Sequence, residues 1–345
     1  MKKTLVYLLT SSLLWAWPAL ADPRHQAPSA PRTIVDTKGN HLALPVTINR
    51  VANLWNSANE ILVQLGAGDI LVGGSVHLRK RPWMVRIFPR ARKIAVISQG
   101  GVANAEAVLA IAPDLTISVG GRANSLMEMG MPVLQMGGVS HVKGLLEGIQ
   151  CMGEALGPAY HGRAQTFTRA FNEKLAMVRQ RIAAIPESQR VRVLHGSTSS
   201  TILDKSLSGD LLKKVGGINA FSKNSGRNIS YESILKADPQ VIIVACGRHI
   251  EYEKFMTDPI YAEVSAVKHK RVYINPSGMF YWDAYSGEIR LQLVWLAKTL
   301  YPEHFSDIDL HREVKDFYHR YFKAQLSPRE IDHLLAGKDP AGHWQ

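Results

Sequence analysis

The sequence predicts an α/β protein made of two similar lobes that are joined by one long helix. The first observation is a pattern that occurs twice, beginning at Asn104 and again at Ser230. Each copy opens with a helix-capping residue and places a glutamate two positions later, Glu106 and Glu232. Each then continues as a short apolar helix, a proline and a β-rich run. Two such halves imply a cleft between them.

The second observation is a long helix in the middle of the chain. Within Tyr160–Ile185, one apolar stripe recurs at helical spacing and is formed by Phe167, Phe171, Leu175, Val178 and Ile182. A helix of this length spans roughly 39 Å, and Pro186 is expected to end it. Such a helix between two α/β halves can act as a rigid spine.

The third observation is an alternation of strands and helices on both sides of the spine, which is typical of parallel sheets covered by helices. Gly39-Asn40 between two apolar runs predicts an initial β-hairpin. The N-terminal half is then predicted to contain the strand Arg50–Leu54, the helix Asn59–Leu65, the strand Ile70–Val72, the first copy of the repeat, the helix Ser125–Met129, the strand Pro132–Gln135 and the helix Val142–Leu156.

The C-terminal half is predicted to alternate in the same way and to finish in helices. Its elements are the strand Val191–Leu194, the helix Gly209–Val215, the second copy of the repeat, the helix Asp258–Val264, the strand Arg271–Ile274 and the helices Tyr285–Leu300, Leu310–Phe322 and Pro328–Leu335. The tail, Ala336–Gln345, contains two glycines and a proline and is expected to be loose.

The first residues have the pattern of a secretory signal. Lys2 and Lys3 form a basic start, Thr4–Trp17 is an apolar run too short for a confident membrane span, and Ala19-Leu20-Ala21 supplies a cleavage pattern. We therefore expect export to the periplasm with cleavage after Ala21; a retained membrane anchor is the alternative. The predicted organisation is a signal peptide at 1–21, an N-terminal α/β lobe at 33–157, a linking helix at 158–187 and a C-terminal α/β lobe at 188–338.

The composition favours an anionic ligand over nucleic acid. The 345-residue chain has a formal net charge of +12, which attracts anions or an anionic membrane surface. Its basic residues are scattered apart from one run at 77–81, and export removes most nucleic-acid roles. The two cysteines, Cys151 and Cys246, lie in different halves and are expected to be buried free thiols.

Several of these segments, taken in order, resemble the class III, helix-spined periplasmic binding proteins of ABC importers for ferric siderophores and cobalamin. The matching segments are residues 36–40, 50–51, 65–69, 106–114, 216–219, 232–239, 282–288 and 300–302. The resemblance covers essentially the whole mature chain. It implies two Rossmann-like lobes with parallel sheets, one long α-helix joining them and a ligand cleft between the lobes.

The resemblance also implies a function and partners. It indicates a monomeric receptor that captures a metal chelate of the ferric siderophore type and delivers it to an ABC permease at the inner membrane. No cofactor is built in; the bound ligand is expected to hold iron, or alternatively nickel or cobalt, as a chelate or a cobalamin. In this family one acidic residue on each lobe contacts permease arginines, and the motif places these residues at Glu106 and Glu232. A glutamate in a first helical turn also stabilises the helix dipole without any partner.

Candidate ligand residues lie in loops that follow predicted strands, where ligands of such folds bind. Trp55 follows the leading strand of the first lobe. Arg122 and Arg248 follow equivalent strands in the two halves, and their guanidinium groups can clamp an anionic ligand from both sides. His249 can complete the coordination shell of a chelated metal.

The segment Met279–Tyr285 is the densest aromatic cluster in the chain. Aromatic faces suit flat or conjugated ligands, and a tyrosine oxygen can ligate iron(III). Tyr281 and Tyr285 are therefore the expected contacts. Trp282 is a further candidate, with packing beneath the loop as its alternative role.

Direct binding of a bare transition-metal ion is an open alternative. His77, His141 and His195 each follow a predicted strand or open a loop, and imidazole suits nickel, zinc and iron. The His-rich loop typical of zinc and manganese receptors is missing from the sequence. An enzyme is not expected, because the sequence has no G-x-S-x-G elbow, no complete phosphate loop and no evident pair of close carboxylates.

Overall fold

The computed structural model describes residues 31–99, 102–197, 201–222 and 229–345. The predicted signal peptide and its cleavage site lie outside these residues. From Pro31 onward the chain forms one compact unit. Within the described residues, no helix combines the length and the apolar character that crossing a membrane requires.

Three sheets organise the described residues. The strands are β1 (Arg32–Val35), β2 (His41–Leu44), β3 (Val51–Asn53), β4 (Leu71–Ser75), β5 (Ala95–Gln99), β6 (Val102–Ala103), β7 (Leu115–Val119), β8 (Val133–Met136), β9 (Arg192–Gly196), β10 (Ile218–Asn219), β11 (Val241–Val244) and β12 (Val272–Ile274). The predicted hairpin is confirmed, since β1 and β2 pair antiparallel. In the described part of the chain, the N-terminal lobe has the sheet order β6-β5-β4-β3-β7-β8 and the C-terminal lobe the order β10-β9-β11-β12.

Both lobe sheets are parallel, apart from the short antiparallel pair β5 and β6. The helices are α1 (Asn56–Gln64), α2 (Val76–Lys80), α3 (Pro82–Ile87), α4 (Ala105–Ala110), α5 (Asn124–Glu128), α6 (Val142–Leu156), α7 (Pro158–Ile182), α8 (Leu207–Lys214), α9 (Tyr231–Ala237), α10 (His249–Thr257), α11 (Ser265–Lys268), α12 (Ile289–Leu300), α13 (Leu310–Phe322) and α14 (Pro328–Leu335). The predicted α/β fold is therefore confirmed.

The repeat is present in both lobes with the same local structure. The Asn104 side chain accepts a hydrogen bond from the Ala107 amide, three positions later, and the Ser230 side chain accepts one from the Ser233 amide at the start of α9. Each short helix ends at a residue with positive φ, Ala112 at 41° and Asp238 at 40°, directly before the proline that precedes the strand. A proline disfavours the right-handed helical conformation for the residue before it, so this motif stops both helices at equivalent points.

The long helix α7 joins the two lobes. It begins at Pro158, which suits the first turn of a helix, and buries Phe167, Phe171 and Val178 along the predicted stripe. It packs closely on α6, because a Cβ added at Gly153 would lie 2.8 Å from the Cβ of Ala164. The helix starts two residues earlier and ends three residues earlier than predicted.

Two helix predictions in the C-terminal half are wrong. The expected helix at Asp258–Val264 is only a 3₁₀ turn, Pro259–Tyr261. The helix expected from Tyr285 begins four residues later, at Ile289, because residues 285–288 form a turn whose polar groups contact the other lobe.

The tail is ordered rather than loose. Lys338 and Trp344 form an antiparallel bridge, and the Lys338 ammonium lies 4.5 Å from the centre of the Trp344 ring. The indole of Trp83 in the N-terminal lobe donates a hydrogen bond of 2.7 Å to the Lys338 carbonyl oxygen. The prediction failed because the contact with Trp83 joins residues that are distant in sequence.

Candidate functional site

The strand order of each sheet reverses at one point, and that point locates the cleft. In the N-terminal lobe the reversal lies between β3 and β7, and in the C-terminal lobe between β9 and β11. Ligands of open α/β sheets bind beyond the carboxyl ends of the strands at such a switch point. The loops that begin at Leu54, Gly120 and Ala245 therefore face the site. Trp55, Arg122 and Arg248 were predicted from these three loops.

The first cleft loop is held rigid by its own polar groups. The Asn53 side chain donates to the Trp55 carbonyl at 2.8 Å and accepts from the Trp55 amide at 3.1 Å. It also donates to the Asn59 side chain at 2.7 Å. The Ser75 hydroxyl, at the end of β4, donates to the side chain of Asn56. These contacts place Asn56 and Ser75 together at the carboxyl edge of the sheet.

Trp55 is only 8% exposed because it packs on the aromatic segment of the other lobe. Its ring centre lies 4.3 Å from that of Tyr285. The Tyr285 hydroxyl is in turn 3.4 Å from the carbonyl oxygen of Leu145 on α6. Tyr285 therefore joins the lobes, and its buried ring presents little surface to a ligand.

The rest of the predicted aromatic cluster divides between core and surface. Trp282 is fully buried, which agrees with its alternative role of packing beneath the loop. Tyr281 is 36% exposed and presents its ring to the cleft side of the segment, against Arg81. Of the predicted aromatic contacts, Tyr281 is thus the one with free surface.

Arg81 was not predicted as a ligand residue and occupies a central place in the cleft. It lies between α2 and α3, in the extended conformation that a following proline favours. Its guanidinium carbon is 4.3 Å from the ring centre of Phe280 and 4.1 Å from that of Tyr281, both on the opposite lobe. Its Nε is buried and has no hydrogen-bond partner among the described residues. The basic run at 77–81 was the available sequence signal.

A histidine and an aspartate pair at the carboxyl end of β9, in the C-terminal lobe. His195, at the end of β9, is 1% exposed, and its Nε2 lies 3.0 Å from Asp283 Oδ2. The Ser208 hydroxyl donates to the Asp283 carbonyl at 2.6 Å. His195 Nδ1 is buried and has no partner within the described part of the chain.

The remaining candidate histidines are dispersed. His77 is exposed on α2, His141 is exposed at the start of α6, and the ring of His249 stacks on Trp344 at a centroid distance of 5.6 Å. The ordered tail therefore covers one face of His249. Among residues 31–99, 102–197, 201–222 and 229–345, no group of three His, Cys, Asp or Glu side chains is arranged to hold a metal ion.

The two arginines of the predicted clamp lie in exposed loops at equivalent places. Arg122 follows β7, and Arg248 caps the start of α10 after β11. Their joint action on one ligand stays a prediction. Cys246, in the same loop as Arg248, is a free thiol that is only partly buried, whereas Cys151 is buried as expected. Burial raises the pKa of both thiols to about 11.

A buried pair of carboxyl groups lies between the lobes, although the sequence showed no evident pair. Glu60 on α1 and Glu288 before α12 are both fully buried. Glu60 accepts a hydrogen bond of 2.7 Å from the Gly287 amide, and Glu288 accepts from the Phe280 amide at 2.8 Å and from the Tyr318 hydroxyl. Burial raises the pKa of Glu288 to about 7. Burial and the neighbouring Glu288 raise the pKa of Glu60 well above its usual range.

The predicted docking residues are exposed and occupy the same position in two equivalent helices. Glu106 and Glu232 are exposed in the first turns of α4 and α9, each two positions after the capping residue. Backbone hydrogen bonding and the Ser230 hydroxyl lower the pKa of Glu232, which keeps it ionised. Their contact with a permease stays a prediction.

Comparison with known proteins identifies the family. The profile of the periplasmic binding protein family matches residues 51–278, more than half of the chain. Molybdate-binding protein MolA of Haemophilus influenzae is 26% identical over 357 aligned residues, covering 95% of this chain and 98% of that protein. Its structure with bound molybdate superposes with a TM-score of 0.76 at 23% identity, covering 86% of this chain and 99% of that one.

Two further solved structures share the fold. A periplasmic solute binding protein of Veillonella parvula has a TM-score of 0.78 at 22% identity and covers 90% of this chain and 98% of its own. CeuE of Helicobacter pylori with bound Ni(II) has a TM-score of 0.69 at 20% identity and covers 88% and 99%. The chain therefore belongs to the periplasmic binding protein family, whose members are solute-binding components of ABC transporters rather than enzymes.

Proposed function

We propose that this protein captures a small metal oxyanion, of the molybdate type, between its lobes and delivers it to an ABC permease. The observation that carries the proposal is Arg81. It is a cation at the lobe interface, it stacks on rings of the opposite lobe, and its Nε is free to donate. A guanidinium fork donates paired hydrogen bonds to oxyanion oxygens, and a partly dehydrated site strengthens them.

The neighbouring groups suit the same ligand. Asn56 and Ser75 place amide and hydroxyl groups at the carboxyl edge of the N-terminal sheet. Arg122 and Arg248 extend the positive charge to the exposed loops on both lobes. The proposal agrees with the molybdate-binding relative from Haemophilus influenzae, which aligns along almost the full chain.

An anionic metal chelate is the second candidate, and the exposed ring of Tyr281 favours it. A conjugated chelate can stack on this ring while its carboxylate or catecholate oxygens bind Arg122 and Arg248. The Ni(II)-bound structure of CeuE shares the fold and is compatible with this reading. A siderophore-sized ligand requires the lobes to separate at the contacts that Trp55 and Arg81 make.

Titration calorimetry of the purified protein tests the two candidates. The panel contains molybdate, tungstate, sulfate, ferric citrate, a ferric catecholate, nickel with histidine, and cobalamin. We expect molybdate and tungstate to bind and Arg81→Ala to weaken them at least about tenfold. Lys80→Ala, which removes the neighbouring exposed charge, is the control and should change affinity less than about twofold.

The same titrations define how the proposal fails. Binding of a chelate with no heat from molybdate or tungstate would replace the oxyanion by the second candidate. Equal losses of affinity in the Arg81 and Lys80 variants would show that only the net charge of the protein matters, and would contradict the role assigned to Arg81. Arg122→Gln with Arg248→Gln should weaken an anionic ligand further; unchanged affinity in that double variant would reject the clamp.

A further inference from the structure

A second cavity lies outside the cleft, where three parts of the molecule meet. It has a volume of about 630 Å³ and is formed by the end of α1 with the following turn, the start of α7 and the end of α13. We call it the junction cavity. Its lining contains none of the residues assigned to the cleft. Its volume is in the range of pockets that hold small organic ligands.

Polar groups buried at the junction cavity lack partners. Gln64 is 4% exposed, and neither its side-chain oxygen nor its nitrogen has a hydrogen-bond partner among the described residues. The hydroxyl of Tyr321 is buried and unpaired in the same part of the chain. Both residues line the cavity. These atoms have almost no accessible surface, and a Cβ added at Gly287 would lie 1.5 Å from the Gln64 side-chain oxygen, so the Gln64 amide lies against Gly287 rather than in the cavity.

The charge at the junction cavity is positive. Arg163, Arg320 and Lys323 line it, and its one acidic residue, Asp69, already pairs with Arg90 at 3.2 Å. Arg163 uses one nitrogen to donate to the Leu65 carbonyl at 2.8 Å. Cations near the ends of α1 and α13 also offset the helix dipoles. The three cations make the cavity suitable for an anion.

The cavity also has an aromatic wall, formed by Phe88, Tyr321 and Phe322. We propose that the junction cavity is a second binding site, for a small organic anion that carries a flat apolar group. Arg163, Arg320 and Lys323 bind the carboxylate or phosphate of this ligand. The aromatic wall packs on its ring.

Phenyl phosphate is the test ligand, because it combines a ring with a phosphate group. Calorimetry of the full protein is expected to show saturable binding at or below about 1 mM. Inorganic phosphate, which lacks the ring, and benzyl alcohol, which lacks the charge, should each bind at least about tenfold more weakly. Equal affinity for phenyl phosphate and either partial ligand would overturn the proposal.

Two sets of variants locate the binding. Arg320→Gln with Lys323→Gln should weaken phenyl phosphate at least about tenfold, whereas Arg169→Gln, an exposed arginine on α7 that does not line the cavity, should have less than about a twofold effect. Gly162 lies on α7 at the cavity, and a Cβ added there meets no atom within 4 Å. Gly162→Trp should therefore fill the cavity and abolish binding, while Gly162→Ala should retain it.

The variants also separate this site from the cleft. Gly162→Trp should bind molybdate with the same affinity as the wild-type protein. The two ligands are titrated separately, so a wild-type protein that does not bind molybdate can still bind phenyl phosphate. Phenyl phosphate binding that survives both Gly162→Trp and the double charge variant would refute the assignment. The absence of saturable phenyl phosphate binding by the wild-type protein would refute it as well.

Discussion

Stability is expected to fall between about pH 5 and pH 8 because of Glu288. Burial raises the pKa of this carboxyl group in the folded protein to about 7, against 4.5 for an unperturbed group. The folded state therefore binds the proton more tightly than the unfolded chain does. The stabilisation is complete below about pH 4.5 and is lost as the pH rises through about 7. At about 1.36 kcal/mol per pKa unit, the loss between pH 5 and pH 8 is on the order of 2 to 3 kcal/mol.

Two glutamine variants test whether one carboxyl group causes this pH dependence of the free energy of unfolding. Glu288→Gln cannot ionise at position 288 and should remove this loss. Glu60→Gln should keep it, since the burial of Glu288 itself is the main cause of its raised pKa. The amide also fits at Glu60, because one oxygen accepts from Gly287 and the other has no partner among the described residues.

Urea unfolding at a series of pH values, followed by tryptophan fluorescence and circular dichroism, measures the free energy of unfolding. The decisive quantity is the difference in the free energy of unfolding between the wild-type protein and Glu288→Gln at each pH. The titration of histidines elsewhere contributes equally to both proteins and cancels in this difference. A difference that is flat between pH 5 and pH 8, or that rises in favour of the wild-type protein, would refute the reasoning. Loss of the slope in Glu60→Gln would show that the titrating group has been misassigned.

Three further predictions concern other parts of the molecule. Glu106→Ala with Glu232→Ala should abolish transport in cells while ligand affinity in calorimetry stays within about twofold; a parallel fall in affinity would reject the docking role. Trp83→Phe should lower the free energy of unfolding by about 1 kcal/mol through the lost hydrogen bond to Lys338, and an unchanged urea midpoint would contradict that contact. Asn104→Ala and Ser230→Ala should each cost about 1 kcal/mol, because each removes an equivalent helix cap; a loss at one site alone would argue against the equivalence.

Most of the fold was predictable because its signals are local and periodic. The caps, prolines and apolar spacing of the repeat lie within about 14 residues in each half, and the stripe on α7 follows one helical period. Element boundaries were less accurate. The start of α12 was misplaced because no local signal marks its first residue, and the Gly287 amide donates to Glu60 on the other lobe instead of joining the helix.

The candidate site was predictable only in part. The rule that ligand-binding loops follow strands identified Trp55, Arg122 and Arg248, because parallel strands end at one edge of a sheet. The same argument did not distinguish exposed from packed side chains, so Tyr281, Trp282 and Tyr285 were indistinguishable until their burial was known. Arg81 was passed over because it lies among other basic residues and follows a short helix rather than a strand.

The sequence by itself determined the two α/β halves, the helix that joins them and the paired positions of Glu106 and Glu232, since each depends on residues close together in the chain. The tertiary structure alone decided the contacts across the lobe interface: Arg81 on the rings of residues 280–281, Glu60 with Gly287, and Trp83 with Lys338. These pairs are separated by about 200 residues or more, and their energies come from burial and desolvation that exist only once the lobes meet. No local pattern in the chain encodes them.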